Sequence, residues 1–263
     1  MLNTMQLLHE NIMNENLFNK LNKEIQWLDD VTHLGGVLPR RFALQASITQ
    51  DESGLETVPL YRHPMDKYIK ESPFTPTVEA IRLALETKLG CKLNHAILQC
   101  YRDGKDYISE HADKTLDVAK NSVIVNYTAG ATRVLKLRSK QKYTSQPEQL
   151  YDVKNIELKN DSAFVLDMET NRLYKHSIRQ DASVQTPRIS ITFRHIHTFY
   201  RRDQVGNIVD VFGKGYGNPT DSMTKDELYK AWSKENHSSQ YTWDELYSKG
   251  YSEIGCFSAS KDG

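Results

Sequence analysis

The chain has 263 residues, and its 34 lysines and arginines balance 34 aspartates and glutamates to a formal charge of zero. That balance argues against a whole-body electrostatic grip on nucleic acid or an anionic membrane and leaves only local basic patches for such contacts. No apolar run approaches the roughly 18 residues of a membrane span, and the opening residues lack the charged-then-apolar order of a signal peptide. Cys91, Cys100 and Cys256 are an odd, scattered set without zinc spacing, as expected of free thiols in a reducing cytoplasm.

Taken in chain order, Asn14 to Asp30 reads as an amphipathic helix, with Leu17, Leu21, Ile25 and Leu28 on one stripe, Asn14 or Asn16 as its cap, and the Leu34–Pro39 stretch as its break. Residues 40–70 alternate briefly and are punctuated by Pro59 and Pro64, which predicts edge strands and loops. Thr77 to Leu89 is a second helix, facing Val78, Ile81, Leu85 and Leu89 one way and stopped by Gly90. After Gly90 the period changes to two. Segments 95–101, 122–127, 133–138, 155–158, 163–166 and 188–194 are short strands separated by Gly, Asn, Asp or Ser clusters. Two helices followed by such strands predict an α+β, mainly β fold: a jelly-roll double sheet with N-terminal helical support. In the tail, Thr224-Lys-Asp-Glu227 and Thr242-Trp-Asp-Glu245 each match a capping box. Two short helices packing Tyr229, Trp232, Trp243 and Tyr247 on the core are expected there. The organisation expected is one domain over 1–200 and a C-terminal helical extension over 201–263.

Two patterns carry chemistry. His111-Ala-Asp113 places an imidazole and a carboxylate two residues apart, on one face if the segment is extended. With a distant second histidine they can fill one face of an iron octahedron and leave the other positions open. Alone the pair is a weak signal. Arg188 and Arg194 lie on one face of a predicted strand with Ser190 and Thr192, while Ile189, Ile191 and Phe193 lie on the other. A polar face with two guanidinium forks suits a small dicarboxylate; the plain alternative is an edge strand with solvated arginines.

Four segments then occur in order: Asn94 to Gly104 with Tyr101 inside it, Asp106 to Asp113, Tyr174-Lys-His-Ser-Ile178, and Pro187 to Arg194. The set resembles the AlkB family of Fe(II)- and 2-oxoglutarate-dependent dioxygenases, from about residue 15 to 197 and most closely over 94–138 and 160–196. The resemblance implies a double-stranded β-helix and His111, Asp113 and His176 as the catalytic iron ligands. It implies Tyr101, Arg188 and Arg194 as contacts to 2-oxoglutarate, and dioxygen as the other co-substrate. His195 and His197 are taken as non-ligands. Gln99 and Ser190 stand where the family often has asparagine, and both can still hydrogen-bond a carboxylate. Thr115 stands where repair members carry an acid that helps recognise the damaged base, with Asp117 the nearest substitute. Arg40, Arg41, Tyr61 and Arg62 lie where the family places its substrate-covering loops.

The implied reaction couples oxidative decarboxylation of 2-oxoglutarate to C–H hydroxylation. Two substrate classes follow. The first is an alkylated nucleobase in DNA or RNA, supported by a basic stretch of Arg133, Lys136, Arg138, Lys140 and Lys142 with Tyr143 for stacking. The second is a small metabolite, amino acid or peptide, favoured by the zero net charge, Thr115 and the added tail. A monomer without membrane attachment is expected, in the cytoplasm or, in a eukaryote, the nucleus.

Overall fold

A computed structural model describes residues 7–29, 38–64, 69–143 and 150–254. Strand β1 (Leu7–Glu10) and helix α1 (Phe18–Glu24) lead to β2 (Arg41–Ala46), β3 (Thr49–Gln50), β4 (Glu56–Pro59), β5 (Ser72–Pro73) and α2 (Pro76–Leu89). Next come β6 (His95–Tyr101), β7 (Ile108–His111), β8 (Val123–Gly130), β9 (Arg133–Tyr143), β10 (Leu150–Leu158) and β11 (Ser162–Asp167). The short α3 (Met168–Leu173) precedes β12 (Tyr174–Ile178) and β13 (Arg188–Arg194). Strands β14 (Thr198–Arg202) and β15 (Ile208–Gly213) and helices α4 (Lys225–His237) and α5 (Trp243–Tyr247) follow. No helix among the described residues is long and apolar enough to cross a membrane.

The strands form a seven-stranded sheet in the order β1-β11-β8-β13-β6-β2-β5 and a four-stranded sheet in the order β10-β9-β12-β7. A smaller sheet, β15-β14-β4-β3, extends the molecule beside them, and β14 straddles residue 200. The two larger sheets are the jelly roll. Tyr101, Ile124, Phe164 and Leu166 of the first meet Leu135, Leu137, Leu158, Tyr174 and Ile178 of the second in one buried cluster. The outer face of the large sheet is covered by helices: Leu17, Leu21, Ile25, Val78, Ile81 and Leu85 pack on Ala96, Leu98, Val125, Tyr127, Ile189, Ile191 and Phe193. Period-two alternation therefore buries one face of β13 under helices and turns its polar face into the sandwich.

Strand β13 is the central strand, flanked by β6 and β8, so its two arginines do not face solvent: Arg188 is 1% exposed and Arg194 4%. Strand β2 is likewise no edge. It pairs with β6 and β5, and Phe42–Ala46 are all buried, because one face meets the helices and the other the interior. The first helix is shorter than its apolar stripe. Leu17, Leu21 and Ile25 are buried as a stripe should be, but the chain turns extended at Ile25 and Leu28 bridges to Phe42. Asn16 receives the Phe18 N–H at 3.2 Å, whereas Asn14 lies at φ 56° before the helix. Asp30 and residues 34–37 of the expected helix break lie outside the described residues. Helix α2 ends as its sequence indicates, with Gly90 in the left-handed conformation at φ 61°.

Both tail capping boxes form, at Thr224/Glu227 and Thr242/Glu245. Helices α4 and α5 close on the jelly roll through Leu228, Trp232, Leu246, Tyr247 and Tyr251 around Leu116, with Tyr229 and Trp243 at the margin. The joint is locked by Arg62. Its guanidinium meets Asp117 at 2.6 Å and donates to the carbonyls of Tyr251, Gly215 and Glu253. Gly215 is required there, because a Cβ would lie 2.3 Å from Asp117 Oδ1. Removing one partner of such a buried pair strands the other charge. Arg62→Met is expected to cost about 3–5 kcal/mol in urea unfolding. Arg41→Ala, which breaks only an exposed pair with Asp29, should cost less than about 1 kcal/mol.

Candidate active site

Between the two jelly-roll sheets lies a cavity of about 820 Å³. Its floor is the polar face of β13, Arg188, Ser190, Thr192 and Arg194, joined by Gln99 and Tyr101 from β6 and Asn126 from β8. His111, Asp113 and His176 lie on its wall, with candidate ligand atoms all within 4.8 Å of one another. The two histidines come from paired strands: His176 on β12 is the cross-strand partner of His111 on β7, and their rings lie 4.3 Å apart. Local sequence sets up this pairing. Asp167 caps α3 through Thr170 N, and the six-residue helix returns the chain as β12 between β9 and β7.

Asp113 divides its two oxygens. Oδ2 accepts from Arg194 Nη2 at 2.6 Å and Nε at 3.1 Å. Oδ1 faces His111 Nε2 at 3.7 Å and His176 Nε2 at 3.6 Å. The Nδ1 of His111 lies 2.8 Å from Ser109 O, which fixes the tautomer that leaves Nε2 with its lone pair. Burial works to raise the Asp113 carboxyl, but the Arg194 charge and the two histidines override it and hold it well below the usual carboxylate range. Burial pushes His176 down to about 3 and lowers His111 as well. At neutral pH the cluster is thus one carboxylate and two neutral imidazoles, the donor set of a 2-His-1-carboxylate iron site.

Arg188 is held differently. Among the described residues only its Nη2 is bonded, to Thr128 Oγ1 at 2.9 Å and Asn126 Oδ1 at 3.1 Å. Nε and Nη1 are buried without a partner. Burial lowers this guanidinium to about 10, so it keeps its charge at neutral pH with two donors unsatisfied on the cavity floor, which fits an anionic ligand such as a carboxylate. Tyr101 stacks beside it at 5.3 Å and bonds Gln99 through its hydroxyl. Asn126 donates to Ser190 Oγ and Thr192 Oγ1 at 2.7 and 2.8 Å. Sequence reasoning missed Asn126, whose one signal was a polar residue inside the apolar run 122–127. Arg194, expected beside Arg188, is committed to Asp113 and lies 4.4 Å over the Tyr61 ring.

Of the other substrate-contact expectations, Arg40 and Tyr61 line the cavity; Arg40 also donates to Tyr107 O. The remaining three do not line it. Arg41 is an exposed partner of Asp29, and Arg62 is the buried joint described above. Thr115 is turned away and donates to Glu235 Oε1 through both N and Oγ1. Asp117 cannot replace an acid at 115, because Arg62 occupies both its oxygens. His195 and His197 pack on each other at 4.5 Å and lie outside the metal-competent cluster.

The basic stretch also reads differently in three dimensions. Lys136 and Arg138 bond Glu110 across the sheet, and those bonds, Arg138's foremost, hold that carboxyl at about 2. Arg133 is buried against the carbonyls of Asp103, Asp106 and Arg179, and Lys140 against those of Asn171 and Glu235. The side chains of Lys142 and Tyr143 lie outside the described residues. Helix α4, expected to pack on the core, also lines the cavity with Tyr229, Trp232, Ser233, Asn236 and His237. The Trp232 Nε1 is buried there without a partner among the described residues.

A family model described as the 2OG-Fe(II) oxygenase superfamily matches residues 5–194. The DNA oxidative demethylase ALKBH2 of Bos taurus is 26% identical over 190 residues, covering 69% of this chain and 64% of the relative. The human ALKBH2 is 27% identical over 190 residues, 69% of this chain and 68% of the relative. The uncharacterized protein R406 of Acanthamoeba polyphaga mimivirus is 29% identical over 192 residues, 70% of this chain and 90% of the relative. Residues 195–263 lie beyond the family match.

Because both imidazoles are already neutral at pH 7, a divalent ion displaces no ligand proton there. Mn(II) affinity, followed by titration calorimetry in two buffers of different ionisation enthalpy, should be flat from pH 8 to pH 6.5 and fall only at lower pH, as His111 gains a proton. A tenfold loss per pH unit near neutrality would place a protonated histidine in the cluster instead.

Proposed function

This chain belongs to the 2OG-Fe(II) oxygenase superfamily, and we propose that it oxidatively removes alkyl groups from nucleobases of DNA or RNA, with His111, Asp113 and His176 holding the iron. As a 2-oxoglutarate-dependent dioxygenase it uses Fe(II), 2-oxoglutarate and dioxygen, and couples decarboxylation of the co-substrate to succinate with hydroxylation of a C–H bond. Bound iron supplies the dioxygen activation that side chains lack. In this reading the protein does the positioning. Arg188 anchors a 2-oxoglutarate carboxylate through its two unpartnered nitrogens, with Tyr101, Gln99, Asn126 and Ser190 setting the polar floor. Arg194 acts on Asp113 by taking one carboxylate oxygen and leaving the other to the metal. The apolar walls, Leu44, Ile97, Ile124, Leu135 and Phe164 among them, keep bulk water from the reacting groups. A hydroxylated N-methyl carbon then leaves as formaldehyde and frees the base.

The observation that carries this reading is the pairing, in one cavity, of the His-Asp-His cluster with an Arg188 that has two buried donors unused. The nucleobase as substrate is supported by the ALKBH2 relatives, and Arg40, Tyr61, Trp232 and His237 offer stacking and polar edges at the cavity wall. A second reading, a small metabolite, amino acid or peptide, is favoured by the internal bonding of the basic strand, since Lys136, Arg138 and Lys140 are already engaged. A reducing compartment, cytoplasm or nucleus, accords with the free thiols of Cys91 and Cys100.

Anaerobic Fe(II) and 2-oxoglutarate are expected to give a visible charge-transfer band. Air should then yield succinate and, with N-methylated oligonucleotides, formaldehyde. Succinate stimulated only by a metabolite pool would select the second reading. Asp113→Ala should abolish both band and turnover. Arg188→Ala should raise the KM for 2-oxoglutarate about 30-fold or more, the loss of a charged hydrogen bond of about 2 kcal/mol or greater.

A further inference from the structure

Residues 111–115 carry two of the three proposed iron ligands, yet they run off the end of the sheet. Strand β7 is an edge strand and stops at His111, so the peptide groups that follow have no ladder to join. Side chains take their place. Ala112 N donates to Asn236 Oδ1 at 2.8 Å. Asp113 N donates to Asn171 Oδ1, and Asp113 O accepts from Asn171 Nδ2, both at 2.9 Å. Thr115 N donates to Glu235 Oε1 at 3.1 Å, and Thr115 O accepts from Trp243 Nε1 at 2.9 Å. Lys114 Nζ donates to Trp232 O. Asn171 belongs to α3, but Asn236, Glu235, Trp232 and Trp243 all come from α4 and α5, beyond the family match.

Helix α4 is fixed in this position by its own last turn. Lys114 and Lys140 donate to the carbonyls of Trp232 and Glu235, and Arg172 donates to Ser239 O just past its end. Cations at a helix C-terminus meet its unpaired carbonyls and the negative end of its dipole. The Glu235 carboxylate, fully buried, ties Thr115 to Tyr247. The C-terminal segment therefore presents two adjacent polar side chains, Asn236 and Glu235, to the Ala112 and Thr115 N–H groups of the ligand segment.

We propose that α4 is part of the metal centre and that Asn236 is a positioning residue, standing in for the missing ladder partner of Ala112 and thereby fixing the His111-to-Asp113 spacing. The inference rests on the reading that His111, Asp113 and His176 bind the iron. The Ala112 peptide joins the two ligands, so turning it to find another acceptor reorients both. Loss of an outer partner of a metal ligand typically weakens metal binding by about 10–100-fold.

Co(II) serves as the probe, read by its d–d absorption and independent of turnover, with the unfolding of each metal-free variant measured alongside. Asn236→Ala and the near-isosteric Asn236→Leu should bind Co(II) about tenfold or more weakly with a shifted band. Asn236→Asp, which keeps the oxygen acceptor, should restore the band, and Lys230→Ala on the exposed face of α4 should match the unaltered protein. In the unaltered protein the Ala112 amide should be protected from hydrogen exchange, a measurement that needs no variant to fold. Unchanged affinity and band in both Asn236 variants, or free exchange at Ala112, overturns the inference alone. If the unaltered protein fails to bind Co(II), or His111→Ala binds it equally well, the iron-ligand reading falls and this inference with it.

Discussion

The carboxylate of Asp113 is the point on which the site turns. It sits buried, and a buried carboxylate persists only if its charge is answered. Arg194 supplies that answer at one oxygen, and the answer comes from the last residue of the central strand of the large sheet. The other oxygen is left to the two histidines on the opposite sheet. One side chain therefore joins the two layers of the sandwich electrostatically while keeping a ligand position open. Tyr61 stacked on Arg194 and Asn171 clasping the Asp113 backbone hold that division in place. Were Arg194 free, Asp113 could turn either oxygen or take a proton; with it bound, the fold leaves one carboxylate oxygen facing the two histidines.

What the sequence made legible follows from where strict periodicity was in force. Strand β13 alternates without a fault for seven residues, and its pairing of an arginine-bearing inner face with an Ile/Phe outer face needed nothing beyond the period of two. The same holds for β6 and, less fully, for β8 and β11. Helix α2 was readable from its stripe and Gly90, and the tail helices from their capping boxes. The first helix was over-read because Leu28 continues the apolar stripe by chance of spacing. Its partner is Phe42 across a β-bridge, a contact that no local pattern announces.

The site shows the same boundary between local and non-local information. The His-x-Asp pair and the two arginines could be found, but not how they divide the work. Arg188 and Arg194 look equivalent along the strand, and only the folded structure separates an arginine with two idle donors from one spent on Asp113. Asn171 and Asn236 lie 58 and 124 residues from the backbone groups they satisfy, at positions where sequence offers no pattern to read. Arg62 erred in the other direction. The family resemblance, which puts Arg62 where substrate-covering loops lie, implied a substrate contact, whereas Asp117 and three carbonyls make it a structural joint.

The charges of the basic stretch sharpen the question of how a polymeric substrate would be held. A linear count from Arg133 to Lys140 finds four cations and no acid. In the fold Glu110 bonds two of them, and backbone carbonyls hold the other two. Lys140 and Lys114 are spent on docking α4, so the strand face that would have gripped phosphates instead anchors the C-terminal helix. That exchange ties the two halves of the proposal together. Cations that release no counterions on binding contribute little salt-dependent affinity, so recognition of any nucleobase falls to the cavity itself. Its wall on that side is α4, the same helix whose Asn236 and Glu235 bond the backbone of residues 112 and 115.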